Sequence, residues 1–407
     1  MRSDGSQSQT LNEIKMEAYI VSGFRTAVGK AKRGGFRFTT PVDLGSEVII
    51  HILANLPQLD PSLIDDIIVG NAVPEAEQGL QMARWIALRS NLPETVGGVT
   101  VNRYCGSGVE TIAMATAKIK AGMADCILAG GAESMSLVPT TGYKIAPNYE
   151  LSLSHPDYYI GMGLTAEAVA EKYNISRIDS DTFALHSHQK AIKAIQDGKF
   201  KDQIVPIEVE EVYYKDGKKL SKKYVVDTDE GPRADTTLEA LSKLKPVFKL
   251  GGQVTAGNSS QTSDGAAFVL IMSEKMVKQL NIEPIARMVT STTVGVDPRL
   301  MGIGPVAAIP KALSLAGLNL RDIDLIELNE AFGAQSLGVL KGLPDLNPEI
   351  INVNGGALAL GHPLGCTGTK LTIQLIHELR ARKQKYGMVT ACIGGGQGIA
   401  GIYELLK

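Results

Sequence analysis

Cys105 lies in Val101-Asn102-Arg103-Tyr104-Cys105-Gly106-Ser107-Gly108, where an apolar run gives way to small residues and then to a helical pattern over Val109–Ala121. This order predicts a cysteine near a helix N-terminus, where the dipole and free N–H groups favour a thiolate and lower its pKa. Gly106 and Gly108 leave room for a substrate, although a buried structural cysteine fits the same pattern. His362 sits in a second small-residue stretch, Asn352-Val353-Asn354-Gly355-Gly356-Ala357-Leu358-Ala359-Leu360-Gly361-His362-Pro363-Leu364-Gly365-Cys366-Thr367-Gly368. A histidine held in so tight a loop is placed to meet something, and it could take the proton of a thiol, as in Cys–His covalent catalysis. Cys366 reads as a small core residue. Cys392 ends a strand pattern in Ala391-Cys392-Ile393-Gly394-Gly395-Gly396-Gln397-Gly398, whose bare N–H groups could form an oxyanion hole. A short glycine run fits a phosphate loop as well, though this one lacks the Lys-Ser/Thr of a P-loop. Asn329, in Asn329-Glu330-Ala331-Phe332, follows a predicted strand and could orient a water, or serve only as a turn residue.

Something must bring these four stretches together. Strand patterns at Ala18–Val21, Ile67–Val69, 100–102 and Ile127–Ala129 alternate with helical patterns at Pro41–Leu53, Gln81–Ser90 and Val109–Ala121. Such alternation predicts an α/β chain with a parallel sheet covered on both faces. The second half repeats the order, with strands at Ile285–Val289, Asp324–Leu328, Ile351–Val353 and Met388–Cys392. Asn71 precedes Cys105 by 34 residues and Asn329 precedes His362 by 33, and Cys126–Gly131 resembles Cys392–Gly396. We read this as an internal duplication about a pseudo-two-fold axis, with a site between the copies. Pro310 should shift or kink a helix of the second half.

A different segment, about 135–262, separates the copies. Ser176 and Asp179 form a capping-box pattern opening a helix over Asp179–Gln196. Ile204–Tyr214 and Lys222–Val226 read as strands around the hairpin signal Asp216-Gly217. Lys215, Lys218, Lys219, Lys222 and Lys223 crowd that hairpin, either as a solvated face or as a cationic rim for a phosphorylated ligand.

Composition excludes other classes. The chain has 407 residues, 43 of them glycine, 44% hydrophobic and 5% aromatic, with net charge −2. Disorder, collagen, a membrane span and a basic nucleic-acid binder are each incompatible with those values or with the apolar pattern. Four cysteines without a CxxC pair indicate neither a disulfide framework nor zinc, and suit a reducing, cytoplasmic setting. Residues 1–15 lack a targeting pattern and read as a disordered tail.

In their order along the chain, Cys105 in NRYCGSG, Asn329 in NEAF, His362 in GGALALGHPLGCTG and Cys392 in CIGGGQG resemble the thiolase family, over about Met16 to Lys407. The resemblance implies the thiolase fold: two duplicated βαβαβαββ halves in a five-layered αβαβα core, with a loop domain inserted in the first half. It divides the chain into an N-terminal half (16–134, completed by 263–283), an inserted CoA-binding loop domain (135–262) and a C-terminal half (284–407). It further implies thiolytic cleavage of 3-ketoacyl-CoA, or the reverse condensation, with CoA as substrate and no permanently bound cofactor or metal. Cys105 would be the nucleophile, His362 its base, Cys392 the second acid–base thiol, and Asn329 the holder of a water. The N–H groups of Cys105 and Gly394 would bind the acyl oxyanion. Met162, Arg233, Phe248, Ala256, Ser260 and Phe332 would contact CoA. A homodimer or homotetramer is implied, with a β-oxidation partner subunit as a further option. In many acetoacetyl-CoA-specific members a histidine precedes the equivalent of Met162; here that residue is Gly161, which points to a broader-chain, degradative enzyme of fatty-acid β-oxidation.

Overall fold

The structure, a computed structural model, describes residues 16–406, so the tail expected over 1–15 lies outside the described residues. The first half runs β1 (Ala18–Thr26), α1 (Pro41–Ala54), β2 (Asp66–Gly70), α2 (Met82–Arg89), β3 (Gly97–Val101), α3 (Ser107–Lys120) and β4 (Cys126–Ser134). The chain then leaves the sheet through α4 (Met162–Lys172), α5 (Arg177–Gln196) and a hairpin of β5 (Ile207–Lys215) and β6 (Lys218–Val226). It returns as β7 (Ser263–Ser273), antiparallel to β4 with Ser134 opposite Asp264. The second half runs β8 (Ala286–Gly295), α6 (Gly304–Ala316), β9 (Leu325–Leu328), α7 (Gly333–Gly342), α8 (Leu364–Arg382), β10 (Tyr386–Ile393) and β11 (Gln397–Leu405).

Hydrogen bonding orders the strands β3-β2-β4-β7-β1-β8-β11-β10-β9. The sheet is mixed, not purely parallel as strand–helix alternation alone suggested. β2 pairs in parallel with β3 and β4, whereas β4–β7, β7–β1, β8–β11 and β10–β11 are antiparallel. The halves meet at β1 and β8, where Ile20 faces Ala286.

Packing divides this sheet into two, with helices outside and between. Ile67 and Val69 of β2 pack with Leu44, Ile49, Met82 and Ile86 of α1 and α2 on the outer face. Ile68, one step out of phase, faces the other way, toward Val109 and Ile112 of α3 and Leu371 and Leu375 of α8. The period of two in a strand thus feeds two cores at once. On their far side α3 and α8 meet Val389, Ile399 and Tyr403 of the second half. Ala308, Ile309 and Val339 of α6 and α7 cover the last face against Ile326 and Met388. The result is five layers, each buried Ile or Leu contributing about 1.5–3 kcal/mol.

The middle helices touch backbone to backbone where they begin. A Cβ on Gly108 would lie 2.4 Å from the Thr369 nitrogen, and one on Gly368 2.4 Å from the Val109 nitrogen. Thr369 Oγ1 also donates to the Gly108 carbonyl at 3.1 Å. This crossing holds the loops before α3 and α8, which carry Cys105 and His362, side by side.

Several sequence expectations need correction. Ile351–Val353 is not a strand: it contributes one bridge, Ile351 to Ile326. Asn352 turns left-handed (φ 46°), and its side chain takes over the pairing, accepting from Leu328 N at 2.9 Å and donating to Leu328 O at 2.8 Å. The third strand of the second half is therefore replaced largely by one asparagine. Cys126 opens β4 whereas Cys392 lies near the end of β10, so their local likeness is not a structural equivalence. Pro310 does not shift the start of α6, which has Pro305 in its first turn; it lies exposed inside the helix. The Ser176–Asp179 capping box is present, but α5 begins at Arg177, directly after its cap. Pro206 separates Ile204-Val205, which pairs with β1, from the hairpin proper.

Candidate active site

Cys105 sits in a single 3-10 turn, Tyr104–Gly106, immediately ahead of α3. Tyr104 has φ 43°, strained for a bulky residue. Two side chains hold it there: Asn102 Oδ1 accepts Tyr104 N at 2.9 Å, and Ser107 Oγ donates to Tyr104 O at 2.7 Å. The bend aims the thiol of Cys105 at the backbone N–H of Gly394, beside its own N–H. Both N–H groups named from the sequence as oxyanion donors therefore converge on this sulfur.

The net pKa of Cys105 is raised, contrary to the sequence expectation of a lowered one. Burial pushes the thiol up to about 12, the two N–H groups offset this only in part, and the Glu133 carboxylate adds to the rise. Desolvation disfavours a charged form more strongly than a helix terminus favours it. Cys392 is also buried and raised, first by desolvation and then by the nearby Cys105 sulfur. The two thiols thus lie near one another as neutral groups.

His362 follows Gly361, whose φ of 93° and close approach to Ser263 Oγ (2.4 Å for a Cβ) exclude a side chain. Its Nε2 meets Asn329 Nδ2 at 3.2 Å, and its Nδ1 meets Thr367 Oγ1 at 2.6 Å. Burial first, then the Lys370 charge, pull its pKa down to about 3, so the imidazole is neutral at physiological pH. Among the described residues no hydrogen bond joins His362 to Cys105.

The pseudo-symmetric asparagines have diverged. Asn329 N bonds Thr390 O and Asn71 N bonds Val101 O, each at a strand end. Asn329 presents its amide to His362, whereas Asn71 Nδ2 donates to Ala132 O and to Glu133 Oε1 at 3.0 Å. Glu133 in turn accepts Gly365 N at 2.8 Å, tying the first half to the His362 loop. Sequence reading missed Glu133 and Thr367. A buried acid at the end of an apolar strand was a usable signal for the first. Thr367 lay inside a quoted motif but has meaning only once the loop is folded.

The residues expected to contact CoA fall into two groups. Met162 and Phe332 pack with Ala166, Val254, Met301 and Cys392. Phe248 meets Phe332 edge-on, with centroids 6.0 Å apart. Arg233 and Ala256 line a cavity of about 220 Å³ with His188, Leu244, Gln261 and Leu358. The Gln261 carbonyl accepts His362 N, so the cavity floor adjoins the histidine loop. Ser260 donates its N–H to Ala331 O, while its hydroxyl takes no hydrogen bond among the described residues. His188, whose Nδ1 accepts Arg233 N at 3.2 Å, is a further lining residue not foreseen. None of the five hairpin lysines lines this cavity. Lys222 and Lys223 face Glu211 and Glu210 across the strands, the pattern of a solvated face.

Burial also keeps His377 neutral, with its pKa lowered to about 4. A depressed histidine contributes stability above its ordinary pKa and loses it as pH falls, because the unfolded chain takes up the proton first. Between pH 7 and 5 the wild type is expected to lose about 2 kcal/mol more unfolding free energy than His377→Gln. Urea titrations at both pH values measure the difference, and equal losses would contradict it.

Two buried thiols and a neutral histidine at the seam of a duplicated α/β core, beside a cavity, fit the class of acyl-transfer enzymes. Residues 18–275 match the model of the thiolase N-terminal domain and residues 282–405 that of the C-terminal domain. The chain belongs to the thiolase family. It is 53% identical over 390 residues to a 3-ketoacyl-CoA thiolase of Bacillus subtilis, covering 96% of this chain and 99% of that protein. It is 44% identical over 401 residues to an acetyl-CoA acetyltransferase of Escherichia coli, covering 95% and 99%. The crystal structure of human mitochondrial 3-ketoacyl-CoA thiolase superposes with a TM-score of 0.86 at 41% identity, covering 96% and 99% of the two chains. No helix among the described residues is long and apolar enough to cross a membrane.

Proposed function

We propose that this enzyme cleaves 3-ketoacyl-CoA with CoA, giving acetyl-CoA and a shortened acyl-CoA, as the thiolysis step of fatty-acid β-oxidation in the cytoplasm. One observation carries the proposal: the Cys105 sulfur lies at the Gly394 and Cys105 N–H groups with the Cys392 thiol alongside. Carbon–carbon cleavage needs a nucleophile, a place for the oxyanion and an acid for the departing carbanion, and these groups supply all three.

Cys105 attacks the 3-keto carbon while its proton passes to His362 Nε2. With a thiol near 12 and an imidazole near 3, no ion pair forms beforehand, so transfer accompanies C–S bond formation. Burial disfavours a free Cys105 thiolate at pH 7, and the concerted step avoids forming one. The C–C bond then breaks, and Cys392 gives its proton to the acetyl-CoA enolate, whose thioester oxygen is held by protonated His362 and an Asn329-held water. The Cys392 thiolate deprotonates incoming CoA, which takes the acyl group from Cys105; the departing sulfur recovers its proton from His362. The Met162, Phe248 and Phe332 wall would hold the pantetheine arm and Arg233 the nucleotide end. CoA is a substrate throughout, and no resident cofactor or metal is needed. The open edge of the sheet at β3 supports self-association as a homodimer or homotetramer.

Gly161 separates this reading from synthesis of acetoacetyl-CoA. It caps α4 next to Met162, and a Cβ there meets nothing within 4 Å. That open space would admit a longer acyl chain. Thiolysis rates across 3-ketoacyl-CoAs of four to sixteen carbons test the proposal: activity extending beyond the four-carbon substrate is expected. Gly161→His should fit without strain and lower kcat/KM for long chains about tenfold, leaving the four-carbon substrate within about twofold, the scale of filling an apolar pocket. Activity confined to four carbons in the wild type favours the acetoacetyl-CoA reading instead.

A further inference from the structure

We propose that Thr367 is a positioning residue that sets the tautomer of His362, and so decides whether that histidine can act as a base. The inference rests on the role given to His362 above. Thr367 Oγ1 lies 2.6 Å from His362 Nδ1 and donates to the Pro363 carbonyl at 3.1 Å. A threonine hydroxyl has one proton, and a carbonyl can only accept. With that proton on Pro363 O, the hydroxyl turns a lone pair to the imidazole, so Nδ1 carries the ring proton. A neutral imidazole has one N–H, which leaves Nε2 bare. The other end of the ring agrees, because Asn329 Nδ2 points at Nε2 from 3.2 Å as a donor.

The opposite tautomer has a place to go, which is why a device is needed. Asn329 Oδ1 is buried and without a partner among the described residues. Turning that amide over would let Oδ1 accept a proton from Nε2–H. Nε2 would then be blocked, and Cys105 would have no acceptor for its proton. Thr367 tips this balance from the first turn of α8. Two residues on, Thr369 binds that helix to the Gly108 carbonyl in α3, the helix that directly follows the Cys105 turn. Ser263 Oγ fixes the backbone of the ring by accepting His362 N at 3.1 Å. The tautomer and the thiol are thus set by the same helix crossing.

Proton–nitrogen correlation spectra of the full-length enzyme labelled with 15N-histidine read the tautomer directly. At pH 7 the wild type is expected to show His362 with a protonated Nδ1 and a bare Nε2; a protonated Nε2 overturns the proposal. In Thr367→Val the Nε2–H form should appear and kcat for thiolysis fall about 10- to 100-fold, with KM changing less than about twofold, the scale of losing a histidine's hydrogen-bond partner. Thr367→Ser, which keeps the hydroxyl, should restore both tautomer and rate. Unchanged tautomer and rate in Thr367→Val also overturn the proposal. If Thr367→Val does not fold, the wild-type and Thr367→Ser spectra still decide it. His362→Ala separates the two ideas: retained thiolysis there refutes His362 as the base, whatever the spectra show.

Discussion

Cys105→Ala is expected to abolish thiolysis, lowering kcat on the order of 10⁴-fold or more, since one atom both forms the intermediate and leaves from it. The fold should survive, because the side chain removed is small and its neighbours Ala72, Val73, Met135, Val138 and Leu364 close around it. Mass spectrometry of the wild type, quenched after mixing with 3-ketoacyl-CoA in the absence of free CoA, should find the acyl group on the peptide carrying Cys105 and none in Cys105→Ala. Acyl on Cys392 would reverse the assignment of the two thiols. Their environments differ in the way that assignment requires. Cys105 faces two N–H donors, its own and that of Gly394, whereas Cys392 packs among Met162, Ala331 and Phe332 with only its own N–H beside it and the Cys105 sulfur disfavouring its thiolate. The thiol with two converging donors can stabilise an acyl oxyanion; the other is suited to passing a proton.

The second large effect concerns the base. His362→Ala is expected to lower kcat about 10³-fold, within the range for losing general-base assistance. The pH behaviour distinguishes this from a loss of ion pairing. Because the Cys105 thiol is raised to about 12, wild-type alkylation by iodoacetamide should climb with pH through 7 to 9 with no plateau. His362→Ala should be alkylated more slowly at pH 7 and converge with the wild type toward high pH, where solvent hydroxide removes the proton. A plateau near neutrality in the wild type would mean a preformed thiolate–imidazolium pair and would refute the concerted step. Identical profiles for both proteins would remove His362 from thiol activation.

The glycine excess, 43 residues, shows how differently the two levels of description speak. Composition marked glycine as unusual, and the motifs placed several beside Cys105, His362 and Cys392. The structure adds a separate purpose at Gly108 and Gly368, which let two middle helices touch where both halves of the site begin. Contact between residues 260 positions apart leaves no periodic trace in a sequence.

Strands and helices were legible because burial on two faces writes a period into the chain: Ile67, Ile68 and Val69 feed alternate cores. The loop at Ile351–Val353 was misread for the converse reason. Its apolar residues look like a strand, while the Asn352 side chain does the pairing that backbone would do. Chemistry that depends only on residue type and order was likewise legible. A thiol, a histidine, an asparagine and a glycine loop recur in an arrangement that resembles one family, and the family followed from it.

What the sequence could not decide is electrostatic and directional. A cysteine at a helix start reads as acidic, yet its pKa is pushed up to about 12, because desolvation depends on everything packed around it. The ring orientation of His362 and the partner of each nitrogen depend on Thr367 and Asn329, residues 5 and 33 positions away. Residue order determined the family and which groups are candidates for its site. Only folding decided which of them are charged, which face one another and on which atom the proton sits, because burial and hydrogen-bond geometry belong to the assembled core and to no local stretch of chain.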